Sequence, residues 1–243
     1  MNLPQPVPFN PLSYNFEAWR EIDLAQIPRI RFVYSDIYAA GYLTVTFAAP
    51  KTGKSLLALS EAIDAVTGRG FLTGEFSESI RVLYYNAEDD LAVIQGRVAA
   101  VLEQRGLSQD AIEGRLFVVS VVAVENSIVL IKGDPHVVCE PAFQALEELI
   151  KRENIGLAIF DPLQDLSQSS ESNDVFRALG GRIRALASRN GVAIGLIHHT
   201  RKPSAGVQPT LDDGRGGSAL RGVARFKSLA GADDTSRGCR SRR

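Results

Sequence analysis

The apolar run Tyr42-Leu43-Thr44-Val45-Thr46-Phe47 leads directly into Ala48-Ala49-Pro50-Lys51-Thr52-Gly53-Lys54-Ser55, and a helical pattern follows over 56–66. A strand, a tight loop and a helix start are thus compressed into a dozen residues around Gly-Lys-Ser. Such a loop aims successive backbone N–H groups and a helix N-terminus at one point, where a lysine adds full charge and a serine hydroxyl can ligate Mg²⁺. The expected ligand is a nucleoside triphosphate with Mg²⁺, cradled by Ala49, Pro50, Lys51, Thr52, Gly53, Lys54, Ser55 and Leu56. Two positions depart from the usual GxxxxGK[ST] pattern. Ala48 stands where the first glycine is expected, and Lys51 occupies a place where many such loops carry glycine, so a positive φ there would be costly.

Downstream of this loop, strand and helix patterns alternate. Strands are expected over 81–86, 116–120, 157–160 and 192–197, with helices over 91–105, 140–152 and 175–188. Repeated β-then-α spacing predicts an α/β fold, a mostly parallel sheet with helices on both faces. The segment 121–138 is β-rich without clear pattern, and 218–226 is a short apolar and basic element. Residues 1–15 carry four prolines and form an expected flexible lead-in. The main domain is expected over 16–230, where Trp19 serves as a packing anchor. Within it lies the long polar loop 200–217, and a basic tail over 231–243 ends in Arg237, Arg240, Arg242 and Arg243.

In open parallel sheets ligands bind at the carboxyl ends of strands, so the polar residues just after apolar runs are the ones to inspect. Asp161 follows Leu157-Ala158-Ile159-Phe160 and can hold a Mg²⁺ shell together with Ser55, the bland alternative being a turn aspartate before Pro162. No glutamate follows Asp161, so a water-activating base must come from elsewhere. Glu88, after Val82-Leu83-Tyr84-Tyr85-Asn86-Ala87, is placed to supply it. Asp89 and Asp90 are alternatives, and one of the three acids is expected to cap the next helix. His198 and His199 end the run Val192-Ala193-Ile194-Gly195-Leu196-Ile197 with no cysteine or carboxylate at metal-ligand spacing. Either a γ-phosphate sensor or a structural histidine satisfies that position.

Taken together, five ordered segments resemble the RecA-like hexameric ATPases, and within them the RepA-type AAA-family ATPases of plasmids and mobile elements. These are Ala-Pro-Lys-Thr-Gly-Lys-Ser-Leu-Leu-Ala-Leu (49–59), Val-Leu-Tyr-Tyr-Asn-Ala-Glu-Asp (82–89), Leu-Ala-Ile-Phe-Asp-Pro-Leu (157–163), Leu-Ile-His-His-Thr-Arg-Lys (196–202) and Arg-Gly-Gly-Ser-Ala-Leu-Arg-Gly-Val-Ala-Arg-Phe (215–226). The resemblance implies a RecA-like P-loop domain that binds ATP, forms a homo-oligomeric ring such as a hexamer, and acts on single-stranded DNA as a replicative helicase. It implies Lys54 on phosphate, Ser55 and Asp161 on Mg²⁺, Glu88 as base and His199 near the γ-phosphate. It also aligns Arg225 with an arginine finger supplied to a neighbouring subunit, with Arg215 and Arg221 as competitors. The loop 200–217 matches a DNA-facing segment in which Arg201, Lys202 and Arg215 can contact phosphates. Relatives continue past the finger with further strands, so this chain is expected to be C-terminally truncated and to leave a sheet edge open.

Composition bounds the rest. Of 243 residues 45% are hydrophobic, enough for a full core, and 27 basic against 28 acidic residues give a formal net charge of −1. Contact with DNA must therefore come from a local patch. Cys139 and Cys239 lie far apart in sequence, which argues against a disulfide framework, and no run approaches a membrane span, so the expected setting is cytoplasmic. The rival to a helicase is a nucleotide-gated DNA-binding or regulatory module that does not unwind, or a remnant that only binds ATP.

Overall fold

The computed structural model describes residues 23, 27, 29–49, 51–120, 130–132, 137–167, 172–199, 222 and 224–230. The lead-in 1–15, Trp19, Pro50, the loop 200–217 with Arg201, Lys202 and Arg215, as well as Arg221 and the tail 231–243, lie outside these residues. The chain divides into two units, Met1–Ile30 and Arg31–Arg243, and the architecture below belongs to the second.

Among the described residues, ten strands and four α-helices follow one another in that unit. A hairpin of β1 (Phe32–Tyr34) and β2 (Tyr38–Ala39) precedes β3 (Leu43–Ala48), which runs into the loop and α1 (Lys54–Thr67). Then come β4 (Arg81–Asn86), α2 (Leu91–Gln104), β5 (Leu116–Ser120), the short pair β6 (Ile131–Lys132) and β7 (Val137–Val138), and α3 (Glu140–Arg152). The unit continues with β8 (Ile155–Asp161), α4 (Asn173–Asn190), β9 (Ala193–His199) and β10 (Phe226–Ala230). Six strands form one sheet in the order β10-β3-β9-β8-β4-β5, every pairing parallel. This is the α/β fold with a parallel sheet that the alternation predicts, and the RecA-like P-loop arrangement that the resemblance implies. Parallel pairing brings all carboxyl ends to one edge, where Ala48 pairs with His199 and Asn86 with Asp161.

The core is split by the side-chain alternation of the strands. On one face Leu43, Val45, Phe47, Leu83, Tyr85, Ala158, Phe160, Ile194 and Leu196 pack under α3 and α4. On the other Val82, Tyr84, Leu157, Ile159, Ala193 and Ile197 pack under α1, α2 and the β1–β2 hairpin. Each large side chain withdrawn from water there contributes about 1.5–3 kcal/mol before entropy is charged against it. The hairpin is fastened to α1 by polar contacts inside this second core. Tyr38 donates to Glu61 at 2.8 Å, and Tyr34 donates to Asp64 at 3.0 Å, while the amides of Phe71 and Leu72 also donate to Asp64. Gly195 is needed here for space, since a Cβ would lie 2.8 Å from the Tyr38 ring.

Helix boundaries follow local chemistry. Asp90 caps α2 by accepting from the Val93 amide, Ser172 caps α4 by accepting from the Val175 amide, and α4 stops at Gly191 in the left-handed conformation. One element departs from the sequence expectation. The short element expected over 218–226 is followed by a strand, and Phe226–Ala230 extends the sheet beyond β3. Phe-Lys-Ser-Leu-Ala has neither the continuous apolar run of a buried strand nor the strict alternation of a half-buried one, so its pattern alone does not mark it.

Candidate nucleotide-binding site

The loop between β3 and α1 is built from two left-handed residues. Gly53, the N-cap of α1, has φ 80°, and Lys51 has φ 66°. A Cβ on Gly53 would meet nothing within 4 Å, so glycine is required there by conformation and not by space. Lys51 holds the same region with a full side chain, a strain of about 1–3 kcal/mol of the kind concentrated at ligand-binding backbone. Thr52 Oγ1 donates to the Ala49 carbonyl at 2.8 Å and fixes the bend. No side chain caps α1, so its first-turn N–H groups keep their donors directed out of the helix, an arrangement suited to a phosphate.

Four side chains converge on the carboxyl edge beside this loop. Lys54 Nζ lies 3.1 Å from Glu88 Oε2 and 3.5 Å from Asp161 Oδ1, and His199 Nε2 lies 2.9 Å from Glu88 Oε1. Burial pushes the Glu88 carboxyl up, but hydrogen bonds from His199 and Lys54 and the lysine charge together outweigh it. Its pKa ends below the ordinary glutamate value. Asp161 is wholly buried, and only one of its oxygens, Oδ2, accepts a hydrogen bond, from the Tyr84 hydroxyl at 3.0 Å. Oδ1 accepts none among the described residues. A buried carboxylate oxygen with spare lone pairs fits a hard divalent cation of the Mg²⁺ type, and Tyr84 spans from the same carboxylate to the backbone carbonyl of Ser55.

The three consecutive acids separate cleanly. Glu88 faces Lys54 and His199, Asp89 is gripped by Arg97 at 2.5 and 3.1 Å, and Asp90 caps α2. The two histidines separate as well. His198 is buried with its ring edge-to-face against Phe47 and Phe176, at 5.8 and 5.2 Å between centroids, whereas His199 turns to Glu88.

Three polar residues at this edge carry no mark in the apolar pattern that sequence reasoning used. Tyr84 lies within a buried strand, yet its hydroxyl reaches Asp161 and comes within 3.3 Å of the Ser55 carbonyl. Burial and the Asp161 charge push that phenol far above its ordinary pKa, so it stays protonated. Asn86 accepts from the amides of Glu88 at 3.1 Å and Asp89 at 2.7 Å, and donates to the Tyr84 oxygen at 3.3 Å. An asparagine two residues before an acidic cluster is an Asx-turn signal that was available in the sequence. Asp165, in the short 3-10 turn after Pro162, has its carboxyl raised by burial and by the charge of Glu88.

Arg225 stands elsewhere. It is exposed, and its amide donates to the Leu43 carbonyl at 3.0 Å, at the amino end of β3. With Phe226 opposite Thr44 and Ala230 opposite Ala48, Arg225 sits five residues below the phosphate loop, about 17 Å at ~3.3 Å per residue. The backbone therefore does not bring it to the site of its own chain.

A model of the AAA domain family matches residues 9–205, a span that includes Lys54, Glu88, Asp161 and His199 and ends before Arg225. No curated protein matches the chain. Among the described residues no helix is long and apolar enough to cross a membrane.

Proposed function

We propose that this chain, which belongs to the AAA domain family and thereby to the P-loop nucleotide-binding ATPases, is the motor of a ring helicase. In this reading it hydrolyses ATP with Mg²⁺ and acts on single-stranded DNA in the replication of a plasmid or mobile element. The observation that carries the ATPase chemistry is the chain of contacts from Lys54 through Glu88 to His199 beside the buried Asp161. It supplies a cation for phosphate, a charged base and an imidazole within one hydrogen-bonded group. The ring and DNA parts rest on the family resemblance of the five segments.

In this reading Lys54 exchanges Glu88 for a phosphate oxygen when ATP enters, because a triphosphate offers more negative charge than one half-exposed carboxylate. Glu88 is then left on His199 with one oxygen free to orient water and take its proton. His199 bonds the base directly, so the imidazole links the γ-phosphate position to the start of the loop 200–217. Mg²⁺, when held by Ser55 and Asp161, supplies charge neutralisation at the phosphates. Arg225 acts in a neighbouring subunit, a reading supported by its distance from its own loop.

The deciding experiment measures ATP turnover with and without single-stranded DNA, strand separation on a forked duplex, and particle size with and without Mg·ATP. DNA-stimulated turnover with unwinding by an assembled ring supports the helicase reading. Turnover without unwinding leaves a nucleotide-gated regulatory module, and no nucleotide binding removes the motor assignment altogether.

A further inference from the structure

Between Asp161 and Glu88 runs a continuous line of hydrogen bonds through two residues buried in β4. Tyr84 is 1% exposed and Asn86 is fully buried. The Tyr84 hydroxyl has one proton and two acceptors in reach, Asp161 Oδ2 at 3.0 Å and the Ser55 carbonyl at 3.3 Å. It can donate to only one of them at a time. Its own oxygen accepts from Asn86 Nδ2 at 3.3 Å, and the other end of the same amide, Oδ1, holds the Glu88 and Asp89 amides. Asp89 is in turn fixed by Arg97, and its carbonyl accepts from Ser120 at 2.8 Å, so the chain after Glu88 is anchored to α2 and β5. Among the described residues, Asn86 holds the Glu88 amide and reaches the Asp161 carboxylate through Tyr84.

We propose that Tyr84 and Asn86 are positioning residues that set the place of the Glu88 carboxylate according to how Asp161 is engaged. The inference rests on the ATPase reading above. With Asp161 facing only the Lys54 ammonium, at 3.5 Å from its other oxygen, the charged carboxylate is the stronger acceptor for the Tyr84 hydroxyl and the nearer one, at 3.0 Å against 3.3 Å for the Ser55 carbonyl. Were Asp161 to hold a divalent cation, its carboxylate would be the weaker acceptor, and the Tyr84 hydroxyl would turn to the Ser55 carbonyl at the phosphate loop. Asn86 follows the Tyr84 oxygen through its amide. Because the amide is rigid, a displacement at Nδ2 moves Oδ1 and with it the backbone of Glu88. The base is thereby placed only when the metal side of the site is complete.

The test uses the full chain with the variants Tyr84→Phe, Asn86→Ala and Asn86→Asp. Without nucleotide, amide hydrogen exchange over 86–90 should quicken about fivefold to tenfold in Asn86→Ala, and to a smaller extent in Tyr84→Phe, while α3 and α4 keep their protection. Asn86→Asp retains the acceptor for both amides and should leave this exchange unchanged, which separates the relay from general loosening of the strand. In turnover, Asn86→Ala should lower kcat about 10²-fold, the scale of a misplaced catalytic group, with binding of a non-hydrolysable ATP analogue held within twofold. Unchanged exchange and unchanged kcat in Asn86→Ala would overturn the relay while leaving the ATPase reading intact. Absence of hydrolysis by the wild-type chain, with DNA present, would overturn the reading and the relay with it. If Asn86→Ala does not melt cooperatively, Tyr84→Phe carries the same two measurements.

Discussion

Lys54 and Glu88 face each other at 3.1 Å across the mouth of the phosphate loop, one from the first turn of α1 and the other from just beyond β4. The same lysine reaches the buried Asp161 at 3.5 Å, so a single cation serves two carboxylates in the nucleotide-free arrangement. The lysine that would bind phosphate thus neutralises the groups that would hold metal and activate water. In the proposed reading, nucleotide entry would redistribute that charge.

Lys54→Ala should abolish nucleotide binding or turnover, since it removes the buried side-chain cation that the loop sets beside Glu88 and Asp161. It should also reduce stability. The Asp161 carboxylate is 0% exposed and would be left with the Tyr84 hydroxyl alone, a loss of about 1–3 kcal/mol for a buried group short of partners. Lys54→Arg keeps the charge and should recover most of that stability but not turnover, because a planar fork does not replace a point charge in a narrow loop. Calorimetric titration with ATP and cooperative melting of both variants check this, and undiminished hydrolysis in the alanine variant would remove the central assignment.

Glu88 gives a pH signature whose sign is fixed by its surroundings. Its folded pKa is lower than the unfolded one, because the bonds from His199 and Lys54 overcome the cost of burial. The resulting stabilisation is fully present above the ordinary glutamate value of about 4.3 and is lost as pH falls through the depressed folded value. Its size is limited, since the side chain is 38% exposed and solvent screens the pair. Urea midpoints measured from neutral pH down to the acid limit should fall more gently for Glu88→Gln than for the wild type. Parallel curves would show that the pairing contributes nothing to stability.

Asp161→Asn should separate metal dependence from nucleotide affinity. The amide keeps a carbonyl for the Tyr84 hydroxyl yet lacks the charge that a divalent cation needs, so ATP should bind comparably with and without Mg²⁺. Turnover should drop more than about 10²-fold, in keeping with the several kcal/mol that a metal contributes to phosphoryl transfer. Titration of the analogue at several Mg²⁺ concentrations reads this directly, and an undiminished Mg²⁺ effect on binding would place the cation elsewhere.

How far this edge can be read without coordinates depends on whether a residue ends a run or sits inside one. Lys54, Glu88, Asp161 and His199 each stand where an apolar stretch gives way to polarity, and a parallel sheet must bring such positions to one side. Tyr84 and Asn86 lie within the run that pattern analysis reads as strand interior, and only the approach of α1 shows what the tyrosine hydroxyl meets. The separate fates of Glu88, Asp89 and Asp90 hinge on the single residue at which α2 begins, a boundary that propensity does not fix. Lys51 could be flagged from the sequence as a costly departure, and its φ of 66° shows that the loop carries the cost. β10 escapes the pattern because an edge strand is selected by its neighbour β3 more than by its own five residues.

The place of Arg225 leads to a test that depends on assembly. It projects from the amino end of the edge strand β10, about 17 Å in backbone rise from its own phosphate loop, so a role at the phosphates requires another subunit. Arg225→Ala alone should lose about 10³-fold in turnover with analogue binding intact, and Glu88→Gln alone should be comparably inactive. Mixing the two gives some interfaces in which a subunit with an intact Glu88 meets a neighbour with an intact Arg225. Those interfaces are whole, so the mixture should regain a definite fraction of wild-type turnover, rising and then falling as the ratio of variants is swept. A mixture as inactive as either parent, in rings shown by mass to contain both, would mean that Arg225 does not reach a neighbour's nucleotide.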